Sequence, residues 1–206
     1  QSYVDHSYTE LLRQRVFQIA CGYEDANDCN DLRSDPSLKA SCDRLPITGD
    51  DLASQPTMSR LENSVSRPDL YRIAQALLET FIASYDKAPK KIILDIDDTD
   101  DRTHGSQQLS LFHAYYDEYC YMPVHLYEGV SGKLITAILR PGHRIRGTVT
   151  VSILRRVLDR LFDAWPKVKI TLRGDAHFSA PEVHDLCDGY SIDFILGQSV
   201  NKKLKA

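Results

Sequence analysis

Apolar residues recur at helical spacing along the first part of the chain and give way to short continuous runs near residue 90. Ser7-Tyr8-Thr9-Glu10 reads as a capping box that opens a helix. Leu12, Val16, Ile19, Ala20 and Tyr23 then form one apolar stripe, the predicted buried face. Residues 24–44 are polar, with Asn-Asp pairs and Pro36, and read as loop or short helix. Ser54 is placed to cap a helix with Pro56 in its first turn. A further helix starts at Ser66-Arg67-Pro68-Asp69, with Leu70, Ile73, Ala74, Leu77, Leu78 and Phe81 as its core stripe. Lys87-Ala88-Pro89-Lys90-Lys91 reads as a linker, dividing a helical region, 1–88, from a second domain, 89–206.

Beyond the linker, Ile92-Ile93-Leu94-Asp95-Ile96-Asp97 looks like a buried central strand ending in acids. Residues 119–128 and 134–139 are two more strands, joined by a hairpin at Gly129-Val130-Ser131-Gly132-Lys133. Residues 150–165 predict a helix, 169–172 a strand, 180–187 a helix and 193–196 a fifth strand. The fold class is therefore α/β. A mixed sheet of three antiparallel strands, then helix, strand, helix and strand, follows a small all-α region.

Composition narrows the function classes. The chain has 206 residues, of which 42% are hydrophobic and 26% charged, ordinary globular usage. It has no apolar run able to span a bilayer and no signal peptide in its polar start, so no membrane partner is expected. Cys21, Cys29, Cys42, Cys120 and Cys187 include no C-x-x-C pair, which speaks against a zinc knuckle and for a reduced, cytosolic setting. The net charge of −4 disfavours nucleic acid as a partner when taken alone. Charge is uneven, however: Arg140, His143, Arg144, Arg146, Arg155, Arg156 and Arg160 crowd one stretch.

The acids carry the candidate chemistry. Asp95, Asp97 and Thr99 share one strand face, with Asp95 and Asp97 about 6.6 Å apart along it. Asp175 follows the strand Lys169-Ile170-Thr171-Leu172-Arg173, and Gly174 is read as letting the chain turn as that strand closes. If the first and fourth strands adjoin, Asp97 and Asp175 meet at one sheet edge. Converging carboxylates repel unless a cation lies between them, and hard oxygen ligands select Mg²⁺ or Mn²⁺. Two such ions about 4 Å apart can hold the attacking and leaving oxygens of a phosphodiester displacement. The plain alternative is that these acids merely cap strands and turns.

Three stretches together resemble one family. They are Leu94-Asp95-Ile96-Asp97-Asp98-Thr99-Asp100-Asp101 with His104-Gly105-Ser106-Gln107; Phe112-His113-Ala114-Tyr115-Tyr116-Asp117-Glu118-Tyr119-Cys120-Tyr121-Met122-Pro123; and Leu172-Arg173-Gly174-Asp175-Ala176-His177-Phe178. They look like the DDE transposases of bacterial insertion sequences, in particular the insertion-sequence family numbered 1380. Leu11-Leu12-Arg13-Gln14-Arg15, Gly22-Tyr23-Glu24-Asp25, Ala53-Ser54-Gln55 and Ser59-Arg60-Leu61-Glu62-Asn63 are similar to the same proteins. The resemblance implies an RNase-H-like core in a bacterial cytoplasmic protein. It implies Mg²⁺-dependent hydrolysis at transposon ends, then attack of the freed 3′-hydroxyl on target DNA. The implied partners are DNA, both end repeats and target, and a second copy on paired ends. The family's first acid maps onto Asp97 of Asp97-Asp98-Thr99, with Asp98 and Asp95 as alternatives, and its second onto Asp175. Its third acid is a Glu on a helix beyond the fifth strand. This chain stops at Ala206 after a basic tail and shows no matching Glu; Glu182 sits on the wrong predicted helix. The chain accordingly reads as a fragment with weakened metal binding and activity.

For DNA contact the candidates are Gln55, Thr57, Ser59 and Arg60 on the Ser54-capped helix, and Arg140, Arg144 and Arg146 as a phosphate track. A solvated helix face is the commoner meaning of such a charge run. Tyr115, Tyr116, Tyr119 and Tyr121 could stack on bases, but alternating aromatics more often pack across strands. His104 and His177 lie near the expected site. Two other functions compete. One is a haloacid-dehalogenase-type phosphohydrolase with Asp95 as nucleophile and Asp97 as acid/base. That fold expects a helix after the acids, where a hairpin is predicted. The other is a non-catalytic remnant that only binds DNA.

Overall fold

The computed structural model describes residues 6–105 and 107–198; Ser106, residues 1–5 and the basic tail at 202–205 lie outside them. Contacts divide the chain into two units, Gln1–Leu70 and Tyr71–Ala206.

The first unit is helical: α1 (Tyr8–Ala20), a 3-10 turn (Ala26–Asp28), α2 (Cys29–Leu32), α3 (Pro36–Ser41), α4 (Gln55–Ser64) and the start of α5 (Arg67–Ala83). The capping box forms as expected, with the Ser7 N–H donating to Glu10 Oε2 at 2.7 Å and the Glu10 N–H to Ser7 Oγ at 3.3 Å. The face that α1 buries is not the predicted one. Leu11, Gln14 and Gln18 are buried, whereas Leu12 is 54% and Val16 61% exposed. The reason is polar. Gln14 Nε2 donates to the Ala53 carbonyl and its Oε1 accepts from the Ala53 N–H, both at 2.9 Å. One glutamine thus satisfies both backbone groups of a fully buried residue outside any helix or strand.

In the second unit the large sheet holds β1 (Lys91–Asp98), β5 (Val124–Glu128), β6 (Leu134–Ile138), β7 (Lys169–Gly174) and β8 (Asp193–Leu196), in the order β6-β5-β1-β7-β8. β1 pairs antiparallel with β5, and β5 with β6; β1–β7 and β7–β8 are parallel. The helices α6 (Gly147–Ala164) and α7 (Pro181–Tyr190) make the crossovers. This is the mixed sheet expected from the sequence, in the strand order of an RNase-H-like fold.

The run 119–128 is not one strand. It breaks at Met122-Pro123, where proline supplies no N–H to a ladder. Its first half, β4 (Glu118–Tyr121), joins β2 (Asp101–Arg102) and β3 (Leu111–His113) in a separate antiparallel sheet of order β2-β4-β3. Phe112 lies opposite Tyr119 there, and their rings meet edge to face at 5.6 Å, the cross-strand packing that alternating aromatics suggest.

One face of the large sheet is covered. Leu94, Leu126 and Leu172 are fully buried against Leu154, Leu158 and Leu161 of α6. Leu78 and Phe81 of α5 belong to the same core, and Phe81, Tyr85 and Trp165 form an edge-to-face triangle with centroids 5.3–5.9 Å apart. That packing places the division between units at residues 70 and 71 rather than at 88 and 89. At the hairpin after β5, buried Glu128 accepts backbone N–H bonds from Ile93, Val130 and Ser131. Burial alone would raise its pKa, but these bonds outweigh it and hold the carboxyl below its usual range.

Two α1 substitutions separate the predicted face from the observed one. Gln14→Leu keeps the volume but strands the Ala53 N–H and C=O, and is expected to destabilise by about 1–3 kcal/mol. Leu12→Gln, on the predicted apolar stripe, is expected to stay within about 0.5 kcal/mol of wild type. Urea denaturation of the purified chain reads both, and the reverse ranking would restore the sequence-based face.

Candidate active site

Strand alternation sorts the acids of β1. Ile92, Leu94 and Ile96 point into the core, so Asp95 and Asp97 share the opposite face and Asp98 turns back to the covered side. The parallel register sets Asp95 opposite Arg173 and Ile96 opposite Gly174. Asp97 and Asp175 are the next residues on two adjoining strands, whose spacing is about 4.8 Å. The sequence expectation that they meet at one sheet edge is met in the geometry.

Close approach, rather than a turn, requires glycine at 174. A Cβ there would lie 2.8 Å from Ile96 Cγ2 and 3.3 Å from both the Ile96 carbonyl oxygen and Leu196 Cδ2. Asp175 is held just beyond it, its Oδ1 accepting the His177 N–H at 2.8 Å. Asp97 Oδ1 accepts the Asp98 N–H at 2.9 Å. Desolvation at the strand end pushes the Asp97 carboxyl above its ordinary pKa of 3.8; the Asp98 N–H bond opposes it, the charges of Asp175 and Asp98 add to the push, and His125 works against them. Asp97 and Asp175 both remain open to solvent. They line a shallow depression of about 230 Å³ with Asp95, Ile96, Arg173 and Gly174.

The alternatives for the first acid sit differently. Asp95 forms a bidentate ion pair with Arg173, Nε to Oδ1 at 2.6 Å and Nη2 to Oδ2 at 2.5 Å. The Asp98 side chain is 3% exposed and its Oδ1 is 3.2 Å from His177 Nδ1. Sequence reasoning missed both partners. The Asp95–Arg173 register was open to it, because aligning Asp97 with Asp175 also aligns residues two places earlier. The Asp98–His177 contact left no such sign.

The remaining candidates are dispersed. Glu182 lies on α7 and lines another pocket, with Thr148, Val151, Arg155, Asp185 and Leu186. Arg140 is 6% exposed, so it does not present a surface to phosphate. Arg144 is exposed and donates to the Ala176 carbonyl at 3.3 Å, next to Asp175, and Arg146 is exposed at the start of α6. On α4, Gln55 bonds Ser59, and Arg60 bonds Thr57, at 2.9 Å each. His104 is exposed. A more enclosed, largely apolar pocket of about 290 Å³ lies between α5, β6 and α6, lined by Tyr71, Leu78, Ile138, Arg140, Ile153 and Arg156. It holds no carboxylate pair. Among the described residues, no three His, Cys, Asp or Glu side chains are grouped to hold a metal ion. No helix among them is long and apolar enough to cross a membrane.

Fold and strand-end acids together define an α/β protein of RNase-H-like topology. The chain matches the family described as transposase DDE domain group 1 over residues 1–206, and it belongs to that family. The match gives this family and does not single out the 1380 branch. Solved structures similar to it include the catalytic domain of Mos1 mariner transposase, at 13% identity and a TM-score of 0.38, covering 68% of this chain and 66% of that one. Another is the piggyBac transposase synaptic complex with hairpin DNA, at 12% identity and a TM-score of 0.42, covering 73% of this chain and 35% of that one. The chain thus spans just under two thirds of the first and about a third of the second. No curated protein matches.

Two stability measurements test this geometry. Because Asp97 has a raised pKa in the folded state, its neutral form is favoured there, and the stability it contributes is lost as pH rises through that value. Asp97→Asn is therefore expected to melt above wild type at pH 7 and level with it below pH 3.8, where the wild-type carboxyl is protonated folded or unfolded. A variant no more stable at pH 7 would show that the charged Asp97 carboxyl is not disfavoured in the fold. Gly174→Ala is expected to lose about 1–3 kcal/mol in denaturant, the usual result of overpacking; a neutral result would show that the strands have room to part.

Proposed function

We propose that the chain is the catalytic region of a DNA transposase of insertion-sequence type, with Asp97 and Asp175 as two of its metal-holding carboxylates. The observation that carries the reading is their emergence side by side from adjoining parallel strands, both open to solvent; desolvation and then the charge of Asp175 push the Asp97 pKa up. Two hard oxygen donors that repel each other suit Mg²⁺ or Mn²⁺. When bound, the cation supplies charge neutralisation at the phosphate and at the attacking and leaving oxygens. The protein's own part is placement. Gly174 lets β1 and β7 close, the His177 N–H fixes the Asp175 carboxylate, and Arg173 occupies Asp95 so that it leaves the pair alone.

The chemistry would proceed in two displacements. Water attacks the phosphorus at a transposon end and frees a 3′-hydroxyl; that hydroxyl then attacks a target phosphodiester and displaces its 3′ oxygen. Exposed Arg144, bonded to the Ala176 carbonyl beside Asp175, and exposed Arg146 at the start of α6 are assigned to phosphate contact. Gln55, Thr57, Ser59 and Arg60 on α4 are assigned to DNA recognition. Buried Arg140 is not assigned to DNA. Two copies would act on paired ends. The Asp95 phosphohydrolase loses its nucleophile to Arg173, and β-structure rather than a helix follows β1.

A second reading, DNA binding without cleavage by this chain alone, is favoured by one observation: Asp95, the third carboxylate lining the depression, is taken up by its ion pair with Arg173. Mn²⁺ titration followed by paramagnetic broadening of backbone amide signals tests the metal assignment. Broadening is expected to centre on residues around Asp97 and Asp175 and to be largely lost in Asp97→Ala and in Asp175→Ala. Wild-type behaviour in both variants would sink the proposal. A DNA-nicking assay with Mn²⁺ separates the two readings: nicking is expected on the first, and its absence with DNA still bound would favour the second.

A further inference from the structure

Asp98 follows Asp97 directly but belongs to the other side of the sheet, where its carboxylate is almost wholly enclosed. Burying a carboxylate is unfavourable unless it is paired and hydrogen-bonded. Asp98 has two partners. One is the ring of His177, Nδ1 to Oδ1 at 3.2 Å. The other is the positive charge of buried Arg140, whose pKa is lowered by desolvation and raised again by Asp98. Asp98 Oδ2 and Arg140 Nη1 are both buried without a hydrogen bond among the described residues. Exchanging such buried charges for apolar side chains is often neutral or stabilising. Stability alone therefore gives no reason for an acid at this place.

Geometry gives one. The residue whose ring Asp98 holds is also the residue whose backbone N–H holds Asp175 Oδ1, at 2.8 Å. Asp175 is exposed, and without that bond its carboxylate is free among several rotamer wells. A continuous link thus runs from a buried, charge-balanced anchor, through the ring and backbone of one histidine, to an exposed carboxylate. Such outer partners commonly set ligand orientation, and losing one weakens metal affinity about 10-fold to 100-fold.

We propose that Asp98 is a positioning residue that acts through His177 to fix the Asp175 carboxylate beside Asp97, with Arg140 as the internal counter-charge of Asp98. The inference rests on the reading of Asp97 and Asp175 as metal ligands.

The test is Mn²⁺ affinity of the intact chain, read by amide line broadening, with thermal unfolding recorded for each variant. His177→Ala keeps the backbone N–H but releases it from the anchor, and is expected to weaken Mn²⁺ binding about 10-fold. His177→Asn places an amide nitrogen close to where Nδ1 lies, and is expected to bind within about three-fold of wild type, well inside that loss. Should Asp98→Ala fail to fold because it strands Arg140, the double variant Asp98→Leu with Arg140→Met removes both charges together. It should fold and bind Mn²⁺ about 10-fold more weakly. Wild-type affinity in His177→Ala or in the folded double variant, with binding lost in Asp175→Ala, overturns the positioning role and leaves the metal assignment standing. Equal losses in His177→Ala and His177→Asn also overturn it. Wild-type affinity in both Asp97→Ala and Asp175→Ala removes the metal assignment itself, and this inference with it.

Discussion

Because β1 and β7 run parallel with Ile96 opposite Gly174, every side chain beyond that pair has its place decided. Leu94 and Leu172, opposite each other and fully buried, lock the register through the core. A slip of one residue would turn them to solvent and carry Asp97 into the apolar face, which α6 makes prohibitive. The strand-end acids are therefore not drawn together by each other, since their charges repel. They are held by the aliphatic layer on the far side of the same strands. The core stabilises what the site destabilises, as is common where function needs a strained or charged arrangement.

The same alternation separates three acids that look equivalent in sequence. Asp95, Asp97 and Asp98 lie within four consecutive residues of one strand, yet each meets a different environment. Asp95 is opposite Arg173 on β7, Asp97 lies just past the last β7 pair and opposite His125 on β5, and Asp98 is enclosed with a histidine. Period two fixes which face each takes, and that much was readable from the chain. The partners come from a strand 78 residues later for Asp95, and from the loop after it for Asp98, 79 residues away. No local pattern records contacts of that range.

Legibility elsewhere followed the same division. The fifth strand, 193–196, was placed to the residue, and the capping box of α1 and the hairpin at 129–133 were plain, because each is decided by neighbours in sequence. The inward face of α1 was not. Helical periodicity assumes that the apolar stripe is the buried one. Here the buried Ala53 backbone needs polar partners, and Gln14 supplies them. The run 119–128 failed for a related reason. Its β-propensity was read correctly on both sides of Met122-Pro123, but the two halves serve different sheets, and only the proline hints at the break. The linker at 87–91 was read from composition, whereas the compact unit extends back to Tyr71, because Leu78 and Phe81 pack with the sheet.

Charge shows most clearly how position overrides composition. A chain of net charge −4 is a poor general partner for DNA, and the arginine-rich stretch after β6 seemed to offer redress. In the fold those arginines divide. Arg140 turns inward and is buried, while Arg144 stays outside, bonded to the carbonyl of Ala176 beside Asp175. Only the second kind can meet a phosphate. The exposed acids oppose the approach of the same phosphate, since two like charges at a strand end act together over the Debye length of about 8–10 Å. A divalent cation between them cancels that local charge. In the proposed function, cation binding therefore does more than assist the chemical step. It is the condition under which an acidic strand edge and a polyanionic substrate can occupy the same place.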